Sequence, residues 1–244
     1  MSSTITWLEP DWAAPAGIRA LSTLRTGGIS SGVFDSLNLA AHVGDRLESV
    51  AGNRARLKAE FGLPAEPLWL NQNHGVTTVH ADDATPTPSA DASWTARKGI
   101  VCAVMTADCM PVLLCSLNGD RVAAVHAGWR GLLGGVIESA IKTMATTGLM
   151  AWLGPAIGPD AFEVGDEVRA AFITRNPAFA PAFRQTGDTL WLADIYELGR
   201  IVLRQAGVTA IHGGAACTFS QPNDFFSYRR DRETGRMASL IWRE

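Results

Sequence analysis

At 244 residues, nearly half of them apolar and 18% charged, the chain can bury a sizeable core, which excludes general disorder. A net charge of −3, with no Lys/Arg tract, argues against nucleic acid or an anionic membrane as the main partner. Four cysteines at no regular spacing make no disulfide framework. The first residues hold no basic segment ahead of an apolar core, and no apolar run is long enough to span a bilayer, so a cytoplasmic protein with reduced thiols is expected.

In chain order, an edge strand is predicted around Ile18–Leu24. A loop rich in glycine and serine follows, from Arg25 through Gly27 and Gly28 to Gly32. It reads either as an anion cradle of backbone N–H groups with Arg25 beside it, or as a surface turn. Residues 46–61 have the spacing of an amphipathic helix, with Leu47, Val50, Leu57 and Phe61 near one face. Trp69-Leu70 reads as a short strand running into the amides Asn71, Gln72 and Asn73, then His74-Gly75. Residues 82–98, rich in Asp, Thr, Ser, Pro and Ala, read as an exposed loop insertion.

Three continuous apolar runs, 101–105, 111–115 and 122–125, suit strands buried on both faces. Leu132, Leu133, Val136, Ile137, Ala140, Ile141 and Met144 then predict a helix over 131–146. A strand over 150–153 ends in a Gly/Pro-rich break. Helices over 166–174 and 190–206, a strand from Thr209 and a last strand over 237–242 complete the chain. No repeat, GxGxxG or P-loop is present, which disfavours a dinucleotide-binding fold. The expected architecture is α/β: a single domain over 1–244 with mixed β-sheet layers flanked by helices.

Chemistry-bearing residues sit at the ends of the apolar runs: Asp108 and Cys109 after the first, His126 after the third, with His74 beyond the amide-rich strand. A reactive side chain at a strand end is held rigidly and still faces a cleft. His74, Cys109 and His126 are far apart in sequence and lack CxxC or HxxxH spacing, so any metal site they form is assembled by the fold. The bland alternative is a buried Cys with hydrogen-bonded core histidines. A third reading makes Cys109 a thiolate nucleophile with His126 as its base, as in cysteine hydrolases or amidases.

Seven segments carry a resemblance: RTGGISSGVFDSLNLAAHVGD, NQNHG, TADCMPVLL, AVHAGWRGLLGGV, GPAIGP, CTF and FFSYRRDRETGRMAS. Together they resemble the YfiH-like family, also called the laccase-domain or polyphenol oxidase family, and they run from about Leu21 to Trp242 in family order. TADC followed by HAGWRG is the most specific part. The resemblance implies a YfiH-like sandwich and a purine nucleoside phosphorylase acting on adenosine, inosine, guanosine and S-methyl-5′-thioadenosine, with adenosine deamination at the side. It implies a Zn2+ ion on His74, Cys109 and His126, with the fourth tetrahedral position open for chemistry. Copper suits the same donors. The older description, copper-dependent phenol oxidation, needs several coppers with two or more imidazoles each, and five histidines do not supply them.

Phosphorolysis asks for an anion site and a purine pocket. Arg25, Arg130 and either Arg229 or Arg230 are the expected anion binders, each with a surface ion pair or snorkelling as its bland reading. Asn38, Asn71, Gln72 and Asn73 are expected on ribose hydroxyls or purine edges, or else capping strand ends. Phe225, Phe226 or Tyr228 either stack on a base or pack the core. Asp108, Cys109 and His126 form the expected catalytic set. Asp108 either moves protons in deamination or orients a ligand histidine from behind. Cys217 is placed near the site, and Cys102 and Cys115 in the core. His42, His80 and His212 are read without function. The partners are a purine nucleoside and phosphate, and the chain is either a monomer or a homodimer.

Overall fold

The computed structural model describes residues 4–244; the first three, which entered the reading of the N-terminus, lie outside them. In chain order the elements are β1 (Trp7–Leu8), β2 (Ile18–Thr23), α1 (Leu47–Glu60), β3 (Thr78–His80), β4 (Ala92–Thr95), β5 (Val101–Thr106), β6 (Met110–Ser116) and β7 (Val122–Ala127). Then come α2 (Trp129–Gly134), α3 (Val136–Met144), β8 (Leu149–Leu153), β9 (Glu163–Gly165), α4 (Asp166–Arg175), β10 (Phe183–Gln185) and β11 (Leu190–Ala193). α5 (Ile195–Gln205), β12 (Ala210–Gly213), α6 (Tyr228–Asp231) and β13 (Met237–Arg243) close the chain.

Every residue of β5, β6 and β7 is buried, and the reason is layering. β5 lies at the end of a four-stranded sheet of order β1-β2-β13-β5, while β6 and β7 lie inside a six-stranded sheet of order β12-β8-β6-β7-β4-β3. The two sheets face each other across Cys102, Val104 and Ile241 on one side and Leu113, Cys115, Val122, Ala124 and Trp152 on the other. The outer face of the larger sheet, with Val112, Leu114, Ala123 and Val125, packs under Leu132, Ile137, Ala140 and Leu198 of the helices. The outer face of the smaller sheet packs Val101, Ala103 and Leu240 against Leu57 of α1. Strands covered on both faces need no polar side, so their sequence is continuously apolar. Each large side chain fully buried in this way stabilises the fold by about 1.5–3 kcal/mol. The expected α/β layers flanked by helices are what the chain forms.

The layering positions the site. β5 and β6 belong to different sheets, so the three residues between them turn the chain from one sheet into the other. Asp108 stands in that corner at φ 87°, and Cys109 follows it, immediately before β6.

Several expectations need correction. Residues 82–98 are not one exposed loop: Ala90, Asp91 and Ala92 are fully buried, and residues 92–95 form β4, paired antiparallel to β7. The helix expected over 131–146 is two helices, broken where Gly135 takes φ 100°. Arg175 Nη1 caps the first of them by donating to the Leu132 and Leu133 carbonyls. The helix expected over 190–206 begins only at Ile195, because Asp194 caps it by accepting from the Glu197 N–H; residues 190–193 pair with β9 and β10 instead. Trp69-Leu70 forms no strand, and the segment touches its neighbours through single bridges at Leu68 and Asn71.

Candidate metal centre

β6 and β7 pair so that Pro111 stands opposite His126 and Met110 opposite Ala127. Cys109, one residue before β6, and His126, near the end of β7, therefore arrive at the same end of the sheet. β4 runs beside β7 with Ala92 opposite Val125. That register puts Asp91 next to His126, whose backbone N–H donates to the Asp91 carbonyl at 2.7 Å.

The Asp91 side chain ties the centre together. Its Oδ1 lies 2.8 Å from His126 Nδ1 and accepts from the His74 N–H at 3.0 Å. Its Oδ2 accepts from the N–H groups of Gly75 at 2.7 Å and Asn73 at 3.2 Å. His74 sits at φ 60°, a conformation few non-glycine residues adopt, and these three N–H bonds hold it there. One carboxylate thus fixes two donor-bearing segments.

The third constraint is space. A Cβ on Gly128 would lie 2.8 Å from His74 Nδ1 and 2.9 Å from Cys109 Sγ. Only glycine leaves room for both side chains at this point where β7 turns into α2.

Donor atoms of His74, Cys109 and His126 all lie within 4.8 Å of one another, and this is the one such group among the described residues. His126 is buried, Cys109 half-buried and His74 exposed. Bonds of roughly 2.0–2.3 Å to a shared ion are reached from these separations by small side-chain rotations. With Asp91 on Nδ1, His126 turns Nε2 toward the centre, the arrangement by which carboxylates orient histidine ligands. Two imidazoles and a thiolate fit zinc or copper equally by softness.

The electrostatics agree. Burial by itself would push the Cys109 thiol up, but the His126 charge and hydrogen bonds from both histidines outweigh it and bring the thiol down to about 6. Burial likewise opposes charge on His126, yet the Cys109 thiolate and then Asp91 raise its imidazole to about 9. Asp91 itself is held below the usual carboxylate range: burial works against that, and His126 and the N–H groups of Gly75 and Asn73 overcome it. Both shifts run in the same sense and favour a thiolate on Cys109 beside a charged His126 imidazole.

A cavity of about 440 Å³ opens on the centre. One wall is apolar, made of Trp129, Ile157, Phe162 and Ile195; Asp108, Tyr228 and four arginines, 130, 229, 232 and 236, supply the polar lining. Asp108 Oδ1 accepts from the Thr218 hydroxyl and Oδ2 from the Arg229 N–H, each at 2.6 Å. Of the two roles set out for Asp108, orienting a ligand histidine belongs instead to Asp91, which lay inside the supposed exposed loop. The available signal was the alternating Ala-Asp-Ala-Ser-Trp run that an exposed loop would not need.

Of the residues expected on substrate, Arg130, Arg229 and Gln72 line the cavity, while Arg25, Asn38 and Asn71 do not. The Arg25 guanidinium donates to the Asp35 and Pro222 carbonyls and lies 4.6 Å over the Phe226 ring. The N–H groups of Gly27 and Gly28 donate to Ser36 Oγ, so the loop's donors are spent within the protein. Asn38 is fully buried and joins Ala40, Asp45 and Arg236. Asn71 donates to Ser89 Oγ. Cys217 Sγ accepts from the Gly158 N–H, away from the cavity lining. Cys102 and Cys115 are fully buried. Arg232, Arg236 and His42 are the lining residues that sequence reasoning passed over; the two arginines stand in the last resembling segment, four residues apart.

The geometry now meets three comparisons. A family model described as multi-copper polyphenol oxidoreductase laccase matches residues 19–244. A purine nucleoside phosphorylase of Pseudomonas aeruginosa is 53% identical over 239 residues, 97% of this chain and 98% of that protein. Purine nucleoside phosphorylase YfiH of Escherichia coli K12 is 51% identical over 238 residues, 96% of this chain and 98% of that one. The crystal structure of a Neisseria meningitidis protein superposes with a TM-score of 0.95 at 50% identity, covering 98% of this chain and 99% of the other. YlmD from Geobacillus stearothermophilus gives 0.92 at 32% identity, covering 100% and 98%. The chain belongs to the family described as multi-copper polyphenol oxidoreductase laccase, and relatives named as purine nucleoside phosphorylases are similar to it over nearly their whole length.

Proposed function

We propose that the chain is a zinc-dependent purine nucleoside phosphorylase of the cytoplasm, acting on adenosine, inosine, guanosine and S-methyl-5′-thioadenosine, with adenosine deamination as a side activity. The observation that carries the reading is the 53% identity, across almost the entire chain, to a relative of that name. The donor inventory supports a single-ion site: among the described residues only one His/Cys group converges, which is too few ligands for several coppers.

The chemistry assigns work to this chain's residues. A phosphate oxygen forms a bond to the ribose C1′ while the bond from C1′ to the purine nitrogen breaks, and the bonding pair leaves with the base, which gains a proton. Trp129, Phe162, Ile157 and Ile195 give the purine an apolar wall. Arg130 and Arg229 stand beside that wall and serve the nucleoside. Asp108, its two hydrogen bonds holding the carboxylate at the cavity, opposes the positive charge that grows on the ribose, and is the group to pass a proton in deamination. An ion held by His74, Cys109 and His126 would supply Lewis-acid polarisation of a substrate oxygen when bound.

The order Asp91–His126–Cys109 also favours a second reading, a cysteine hydrolase or amidase editing cell-wall precursors, since a carboxylate behind an imidazole beside a low-lying thiol is a nucleophile's arrangement. Product analysis separates the two. Adenosine should give adenine and ribose 1-phosphate only when phosphate is present, and inosine with ammonia when it is absent. Turnover of amides by the metal-free protein, with no nucleoside cleaved, would replace the first reading by the second.

A further inference from the structure

The cavity carries a charge imbalance. Four guanidinium groups line it against one carboxylate, Asp108, in a chain whose net charge is −3, and Asp108 already accepts two hydrogen bonds. A protein that gathers cations around a cavity in this way is arranged to receive an anion.

The four arginines are not alike. Arg229 Nη1 donates to the Glu163 carbonyl, and its guanidinium lies 5.4 Å over the Phe162 ring. Arg130 lies 4.3 Å over the Trp129 ring. Both are drawn to the apolar wall. Arg236 Nη1 donates to the Thr234 and Gly235 carbonyls and its guanidinium lies 5.8 Å over the Tyr228 ring, while the exposed Arg232 guanidinium has no hydrogen-bond or ion-pair partner among the described residues. Arg232 is also held at φ 63°, a strained backbone position of the kind that persists where the surrounding structure requires it. The Arg236 backbone is fixed by its N–H donating to Asn38 Oδ1 at 3.0 Å.

Arg236 links this rim to the metal centre. Burial lowers its guanidinium, while the charges of Cys109 and Asp108 pull the other way, which places all three within electrostatic reach. His42 lines the same cavity, and burial, then the charges of Arg236 and Arg54, lower its imidazole.

We propose that Arg232 and Arg236, with His42 beside them, form the subsite for a tetrahedral oxyanion, inorganic phosphate, while Arg130 and Arg229 with the apolar wall serve the nucleoside. The phosphate identity rests on the phosphorolytic reading above.

The test uses the zinc-loaded protein and inorganic phosphate itself, by calorimetric binding and by the phosphate dependence of adenine release. Arg232→Gln should weaken phosphate binding and raise the phosphate KM roughly tenfold or more, as the loss of a charge-assisted hydrogen bond implies. The adenosine KM should stay within about twofold and zinc content should stay the same. Arg236→Lys, which keeps the charge and loses the planar fork, should shift the same parameter. Arg130→Gln should raise the adenosine KM instead. Unchanged phosphate parameters in both rim variants, or a phosphate effect that follows Arg130, would overturn the assignment. So would a wild-type protein that binds no phosphate. Phosphate binding that depends on Arg232, in a protein that cleaves no nucleoside, would uphold the subsite and remove the phosphorylase reading.

Discussion

The two ends of the cavity are built in different ways. At the metal end the supporting carboxylate is fully engaged before any ligand arrives: Asp91 accepts from three backbone N–H groups and holds His126, and it fixes both the end of β7 and the bend that carries His74. At the α6 rim the guanidinium of Arg232 waits without a partner on a strained backbone, in a segment near the chain's C-terminal strand. The contrast separates two tasks. An ion is bound by donors fixed in advance, because misplaced ligands cost affinity directly. A substrate anion is bound by groups left unsatisfied until it comes. Damage at the first end should remove the ion; damage at the second should change substrate dependence and leave the ion in place.

The largest effect is expected from Gly128→Ala, which sets a methyl group under 3 Å from both His74 Nδ1 and Cys109 Sγ. Zinc per chain, measured after dialysis, should fall to near zero and turnover with it, while the circular dichroism spectrum keeps its folded form. A fully loaded, active variant would show that the cradle around the two donors is looser than this geometry. Asp91→Asn comes next. It keeps the shape and loses the charge, so zinc affinity should drop about 10- to 100-fold. The buried amide, facing three N–H donors with only one acceptor oxygen, should cost roughly 1–3 kcal/mol in denaturant unfolding. The comparison sharpens if Asp108→Asn, two strands away, leaves zinc affinity unchanged and lowers turnover alone.

A smaller, titratable effect comes from the metal-free protein. Its Cys109 thiol is lowered to about 6, so the thiolate dominates at neutral pH. Iodoacetamide should alkylate it at a nearly constant rate from pH 7 to 8 and more slowly as the pH falls through about 6, since the thiol form is inert. Zinc should protect it. Cys102 and Cys115, pushed up to about 12 by burial, should remain unmodified. Alkylation unaffected by zinc would point to the cysteine-nucleophile reading. The smallest effect is expected at a residue that sequence reasoning placed in the site. Asn71→Ala removes a hydrogen bond to Ser89 and should leave both substrate KM values within about twofold. A tenfold change there would mean the amide-rich segment reaches the substrate after all.

The sequence was most readable where local pattern and tertiary role coincide. Strands β5, β6 and β7 are apolar on both faces because two sheets and a helical layer enclose them, so their runs announced themselves, and Cys109 and His126 were legible as polar residues at the ends of such runs. Asp91 was not. Its stretch has the composition of a loop, and only the pairing of β4 with β7, a contact 30 residues away in the chain, turns it into a buried strand edge. The same limit hid the break at Gly135, where hydrophobic periodicity continues through a left-handed residue. Arg25 failed in the opposite direction. A glycine-rich loop looks like an anion cradle until Ser36 is seen to take its N–H groups. Side chains that act through distant partners leave little local trace.

The central claim is that one ion on His74, Cys109 and His126 supports phosphate-dependent cleavage of a purine nucleoside. Its most direct test is a titration of zinc into metal-free protein, following adenine release from adenosine with and without phosphate. Activity should rise linearly, break at about one zinc per chain, and disappear when phosphate is withheld. Adenine release that needs neither zinc nor phosphate, or none at full zinc loading, would contradict it.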